Sequence, residues 1–375
     1  MAFDPAHLGT LIVKIGTNLL RGKLAFEGKV MEAVVRELCE LKRQHDLNIL
    51  IVTSGAVGCG MNALGIEQRP ATLPLKQAVA AVGQATLMHY YETLFRHYGD
   101  DLHSAQILLS PGDLDDRERY LNVRNTLNTL FAMKRVVPII NENDTTAVEQ
   151  LRFGDNDTLA ARVAAKTNAG LLIILSDVDG LYDKNPGQYP DAQLIPVVAE
   201  LTPEIREMAG GPGTATGTGG MQTKLSAVSI ATAAGVPVAI ANGHANEVIK
   251  GVLDGTARHT LFTVTKEALS HRKRWIAFGR KISGQLRVDD GARRALVEQG
   301  KSLLAAGVIE VAGDFEAGAA VEILDAAGQV LARALVNYSS HDIRMIKGHG
   351  SHEIVGILGR KDFDEVAHRD NVVLV

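Results

Sequence analysis

"TLIVKIG", residues 10–16, places four apolar residues and one lysine between a threonine and a glycine. A run this short and this apolar predicts a strand buried on both faces. Lys14 is the exception within it. A buried ammonium group is costly unless it meets an anion or snorkels to water at the strand end. The same pattern recurs in "NILIVTSG" (48–55), "AQILLS" (105–110), "VVPIIN" (136–141), "LLIILSD" (171–177) and "VPVAIAN" (236–242). Amphipathic stretches fall between them. "EGKVMEAVVRELCELKRQH" (27–45) puts Val30, Val34, Leu38 and Leu41 on one helical face, and helices are also expected near 75–97, 117–134, 156–168 and 219–234. Continuous apolar strands alternating with helices predict an α/β domain of three αβα layers with a mostly parallel central sheet. In that class, ligands bind beyond the carboxyl ends of the strands.

The pattern changes after residue 265. "HRKRWIAFGRK" (271–281) is basic and holds the single tryptophan, and "AAVEILDAAGQVLARALVNYSS" (319–340) alternates like a hairpin turning at Ala326–Gly328. We expect a first domain over 1–265, a linker over 266–275 and a small β-rich domain over 276–375. The 375 residues suffice for two domains, and 46% apolar with 22% charged residues is an ordinary globular composition. The formal charge of −4 gives no global attraction to nucleic acid or anionic membrane. Two cysteines, Cys39 and Cys59, make no disulfide framework and suit packing in a reducing compartment. No apolar run reaches membrane-span length and the first residues do not form a signal peptide, so a cytoplasmic location without membrane contact is expected.

Small and polar residues gather at the predicted strand ends: Lys14, Gly16 and Thr17; Ser54, Gly55, Gly58 and Gly60; Asn141, Asn143 and Asp144; Ser176, Asp177 and Asp179. "FGDND" (153–157) precedes one helix and "GTGGMQTKLSA" (217–227) opens another. The latter is not a P-loop, because Lys224 follows Thr223 and precedes Leu225. It can still cradle an anion through backbone N–H groups at a helix start, or it is a surface loop capped by threonine. Lys14 and Lys224 can converge on one phosphoryl group, offsetting charge on its oxygens during transfer. Asp157 can sit between the two ammonium groups, or it simply complements a helix dipole. "DDRERYLNVRNT" (115–126) reads as a solvated helix with i,i+4 pairs rather than an arginine cluster for phosphate.

Six stretches, "VKIGTNLL" (13–20), "VTSGAVGCG" (52–60), "PIINENDT" (138–145), "FGDNDTLAARVA" (153–164), "LLIILSDVDGLYDKNP" (171–186) and "GTGGMQTKL" (217–225), together resemble the glutamate 5-kinases of the amino-acid kinase superfamily. "SGQLRVDDGARRAL" (283–296), "KSLLAAGV" (301–308) and "GDFEAGAAVEI" (313–323) resemble a PUA domain. The resemblance implies the amino-acid kinase fold and ATP-dependent phosphorylation of the L-glutamate side chain, the first step of proline synthesis. It implies that Lys14 and Lys224 contact the transferring phosphoryl group and that Asp157 organises them. It assigns ATP to Lys14, Ser176, Asp177 and the stretch Thr218, Gly219, Gly220, Met221, Gln222, Thr223 and Lys224. It assigns glutamate to Ser54, Asp144 and Asn156. Mg²⁺ is implied with the nucleotide, with no dedicated protein cage. Feedback inhibition by proline, a glutamyl phosphate reductase as pathway partner, and a homodimer or homotetramer are also implied.

A glutamate carboxylate has a reference pKa of about 4.3, so it is already a nucleophile at neutral pH and needs no general base. Two rival readings are another kinase of the superfamily, such as one acting on acetylglutamate, and an RNA-binding PUA protein with an inactive kinase-like domain. The PUA tail disfavours the first. Residues 276–375 hold 12 Lys and Arg against 14 Asp and Glu, a net of −2, which disfavours nucleic acid as a partner.

Overall fold

Strand β1 (Thr10–Ile15) is buried along its whole length and pairs in parallel with β2 (Asn48–Thr53) on one side and β5 (Leu171–Ser176) on the other. The computed structural model describes residues 2–20, 22, 26–146, 156–209, 220–264 and 282–374. The chain divides into two units, Met1–Ala268 and Leu269–Val375. Both domain boundaries expected from sequence, and the linker 266–275, lie outside the described residues.

The sheet of the first unit grows outward from β1. Its order is β3-β4-β2-β1-β5-β7-β8-β6, with β3 (His103–Leu109), β4 (Val136–Glu142), β6 (Val197–Val198), β7 (Val238–Asn242) and β8 (His259–Phe262). All pairings are parallel except β7 with β8. The predicted apolar runs form its six long strands, while the antiparallel edge made by β8 and the two-residue β6 carried no strong sequence signal.

Side chains of a strand alternate between faces, and β1 obeys this. Leu11, Val13 and Ile15 enter a core shared with α1 (Lys29–Gln44), α2 (Ala56–Leu64), α3 (Leu73–Tyr98) and α8 (Val248–Asp254). Ile12 enters the opposite core, shared with α4 (Arg117–Ala132), α5 (Asn156–Thr167) and α7 (Met221–Ala233). A short helix, α6 (Pro203–Met208), adds Ile205 to that side. Lys14 has the same parity as Ile12, so its stem enters the α5/α7 layer. Both cysteines are buried in the α1–α3 core and remain free thiols.

Helix α2 corrects the placing of Gly58 and Gly60 at the end of the second strand. Gly58 and Gly60 lie inside a helix, and Gly60 is a contact point. A Cβ on Gly60 would come within 1.9 Å of the Val79 carbonyl oxygen, and one on Gly83 within 1.8 Å of the Ala56 oxygen. These glycines let the backbones of α2 and α3 touch. Gly55 is conformational instead: its φ of 110° turns the chain from β2 into α2.

The 115–126 stretch does enter a helix, but its ion pairs leave that helix. Arg119 bonds Asp113 at 3.1 Å, and Asp115 pairs with Arg162 of α5. The second unit is a five-stranded sheet of order β10-β9-β11-β12-β13, built from β9 (Ile282–Val288), β10 (Val308–Gly313), β11 (Ala320–Leu324), β12 (Val330–Leu335) and β13 (Val372–Leu374). Among its described residues are three short helices, α9 (Asp290–Val297), α10 (Ser340–Ile346) and α11 (Ile354–Leu358). The hairpin expected around Ala326–Gly328 joins β11 to β12. Ala334 is buried in β12, opposite Val321 and Val372.

Candidate active site

Three charged side chains meet at the carboxyl edge of the sheet. Lys14 comes from β1, Asp157 from the first turn of α5 and Lys224 from the first turn of α7. Lys14 Nζ lies 2.5 Å from Asp157 Oδ1, and Lys224 Nζ lies 3.3 Å from Oδ2. Asp157 is 0% exposed, Lys14 4% and Lys224 6%. One carboxylate thus spans two ammonium groups in a dry setting. Burial pushes the Asp157 carboxyl up, but the charges and hydrogen bonds of Lys14 and Lys224 outweigh this and hold it below the usual carboxylate range. Gly16 leaves room beside this group: a Cβ there would sit 3.3 Å from Lys14 Nζ and 3.3 Å from the Leu175 carbonyl oxygen.

The α7 end has the form of an anion site. Its N-cap is Gly220, with no side-chain cap bond, and a Cβ added at Gly220 would meet nothing within 4 Å. Met221 and Gln222 open the first turn, and the Thr223 and Lys224 N–H groups donate to the Gly220 carbonyl at 3.2 and 3.4 Å. Thr223 Oγ1 donates back to the Gly220 carbonyl at 2.8 Å, fixing the turn. Thr218 and Gly219 lie outside the described residues, as do Gly154 and Asp155 of "FGDND".

Ser176 and Asp177 close β5, next to β1. Ser176 is buried, and its Oγ donates to Asp177 Oδ1 at 3.1 Å. Asn18, just beyond β1, donates through Nδ2 to Asp177 Oδ2 at 3.0 Å. Partial burial pushes the Asp177 carboxyl up, yet the donors around it hold it below its ordinary value. Sequence reasoning missed Asn18; its only signal was its place after "KIGT".

On the other side of β1, Asn156 Nδ2 donates to the Thr53 carbonyl oxygen (2.6 Å) and lies 2.8 Å from Ser54 Oγ and 3.0 Å from Asn141 Oδ1. Asn141 in turn reaches Gln84 of α3, with Nδ2 2.9 Å from Gln84 Oε1. Asp144 sits half-buried in the turn after β4, its N–H bonded to the Glu142 carbonyl at 3.0 Å. The structure therefore brings Ser54 and Asn156 into direct contact and sets Asp144 on the neighbouring strand end. Gln84 was not predicted. It lies in the middle of a helix in sequence, and only packing brings it to a strand end.

This arrangement can hold a transferable phosphoryl group between two lysines, a nucleotide on the β5 side and a polar acceptor on the β2/β4 side. Residues 9–242 match the amino acid kinase family, and residues 284–358 match the PUA domain. A protein of Moorella thermoacetica described as glutamate 5-kinase is 49% identical over 97% of this chain and 96% of its own length. Glutamate 5-kinases of Caldanaerobacter subterraneus subsp. tengcongensis and Geobacter sulfurreducens are 47% and 46% identical, each over 97% of both chains. With the kinase match covering both lysines, and these relatives covering both units, the chain belongs to the amino acid kinase family and, within it, to the glutamate 5-kinases.

Proposed function

We propose that the protein transfers the γ-phosphoryl group of ATP to the side-chain carboxylate of L-glutamate, forming γ-glutamyl phosphate and ADP. The carrying observation is the pair of buried lysines bridged by Asp157 at the meeting point of β1, α5 and α7. Those three groups together carry one net positive charge, which suits a phosphoryl group lying between two anionic reactants.

The substrate carboxylate oxygen forms the new bond to phosphorus as the bond to the ADP oxygen breaks. No proton has to move, because the nucleophile is already ionised. Lys14 and Lys224 offset the charge on the equatorial oxygens. Asp157 sets their separation and keeps both ammonium groups in place. Backbone N–H groups at the start of α7 hold the donor phosphates, and Ser176 and Asp177 bind the nucleotide. Ser54, Asp144 and Asn156 hold the amino acid, with the Asp144 carboxylate facing its α-ammonium. Mg²⁺ bound with the nucleotide would supply charge neutralisation at the phosphates, without a protein cage of its own. Among the described residues no group of His, Cys, Asp and Glu fits a protein-held ion.

An acyl phosphate is short-lived in water, so we expect a reductase to consume it as the next step toward proline. Cytoplasmic location, inhibition by proline near the glutamate pocket, and assembly as a homodimer or homotetramer belong to the same proposal. No helix among the described residues is long and apolar enough to cross a membrane.

Hydroxylamine trapping tests the reaction. Protein, ATP, Mg²⁺ and L-glutamate should yield γ-glutamyl hydroxamate, while N-acetylglutamate and aspartate yield none. Product from N-acetylglutamate instead would overturn the pocket assignment. No product from any amino acid, with folded protein, would overturn the kinase reading.

A further inference from the structure

Three side-chain amides, on Asn156, Asn141 and Gln84, form a chain whose orientation is set by two backbone groups. The Glu142 N–H donates to Asn141 Oδ1 at 2.9 Å. A backbone N–H cannot reverse its polarity, so Asn141 must turn Nδ2 toward Gln84, and Gln84 must answer with Oε1. At the other end, the Thr53 carbonyl accepts from Asn156 at 2.6 Å, so Asn156 must point Nδ2 there. Each amide therefore has one allowed orientation. Two atoms are left over. Asn156 Oδ1 and Gln84 Nε2 are both buried and have no hydrogen-bond partner among the described residues. Buried polar groups left in this way are costly in a native fold, and they are found where a ligand completes them. One is an acceptor and the other a donor, the complement of a molecule carrying both an ammonium and a carboxylate.

Gln84 is placed for this by α3. Val79, Ala80, Gly83, Leu87 and Tyr91 form the buried face of that helix, and the Tyr91 hydroxyl lies 2.8 Å from Thr53 Oγ1 at the end of β2. Gln84 shares that face and is the member of the amide chain furthest from Asp157, which directly follows Asn156.

We propose that Gln84 determines acceptor specificity: its Nε2–H donates to the α-carboxylate of the bound amino acid, while Asn156 Oδ1 accepts from the α-ammonium beside Asp144. The inference rests on the kinase reading above. Asn141 is a positioning residue that fixes both neighbouring amides.

The test is Gln84→Glu. Glutamate keeps an oxygen for Asn141 Nδ2 but replaces the donor with a carboxylate oxygen. The expected result is a KM for L-glutamate raised about 10- to 100-fold, the range for losing a hydrogen bond to a charged group, with KM for ATP near the wild-type value. The variant should also shift its preference toward L-glutamate 1-amide, whose carboxamide can donate to the new carboxylate. Should Gln84→Glu not fold, Gln84→Met is read in its place; it should raise KM for glutamate and narrow the discrimination between the two acceptors. A folded variant with wild-type KM and wild-type acceptor preference would overturn the proposal and leave Gln84 as a support for Asn141. Wild-type protein that forms no hydroxamate from glutamate would overturn the kinase reading and this inference together, whereas active wild-type protein beside unaffected variants would overturn only the latter.

Discussion

Asp157 is wholly buried and still holds its charge, because it gains two ammonium partners in place of water. Removing it should cost more than removing an exposed acid. Asp157→Asn leaves two buried lysines facing a neutral amide, and we expect a loss of about 3–5 kcal/mol of stability, measured by denaturant unfolding. The pH dependence has a definite sign. The carboxyl is held below its unfolded value, so its contribution is complete above about pH 3.9 and is lost as pH falls through the lower folded value. In an acid titration, the stability difference between wild type and Asp157→Asn should shrink only below about pH 4; a difference that persists unchanged into stronger acid would contradict the ion-pair account. Lys224 acts on the transferring group instead. Lys224→Ala should lower kcat by about 10²–10³-fold and leave KM for glutamate within a few-fold, as steady-state kinetics would show. Near-normal turnover would remove it from the reaction centre.

At the scale of elements, α2 and α3 fit together through glycines that admit no side chain. Gly83→Ala pushes a methyl into the Ala56 carbonyl, where only backbone movement can make room. We expect about 3 kcal/mol of destabilisation, seen as a lowered melting temperature with an unchanged KM for ATP. A neutral effect would mean that the two helices separate easily. Helix α1 adds a second such device. Glu37 is buried and accepts from the N–H groups of Ile249 (2.9 Å) and Lys250 (3.2 Å) at the start of α8. Burial raises its carboxyl pKa even against those donors. A charged residue inside an amphipathic pattern thus serves as the cap of a distant helix.

At the scale of the whole molecule, the two units have separate cores. One sheet is buried between two helix layers, and the other unit packs Leu286, Val321, Tyr338 and Ile343 around its own sheet. The Tyr338 hydroxyl donates to the Phe363 carbonyl and accepts from the Phe363 N–H at 3.0 Å. Tyr338→Phe removes both bonds at a cost of about 1–3 kcal/mol. Scanning calorimetry should resolve two transitions, with Tyr338→Phe lowering one and Asp157→Asn lowering the other. Both variants shifting a single common transition would show that the units unfold together.

Much of this was legible in the sequence. The six long strands were visible because a sheet buried on both faces demands uninterrupted apolar runs, and few other structures do. Lys14 stood out because a cation inside such a run has to be explained. The direction in which Lys14 enters follows from strand periodicity, but its 2.5 Å contact with Asp157 does not. That contact depends on α5 lying over β1, which is set by packing between residues 143 positions apart. Gln84, Asn18 and Glu37 were missed for the same reason. Each looks like an ordinary polar residue in its own segment, and its role comes from a partner 57, 159 or 212 positions away. The layers, the mostly parallel sheet and the residue types gathered at its edge can be read from the chain alone, because burial and period are local properties. Which of those residues meet is settled by the packing of whole elements, since that packing fixes the hydrogen bonds and ion pairs between distant segments.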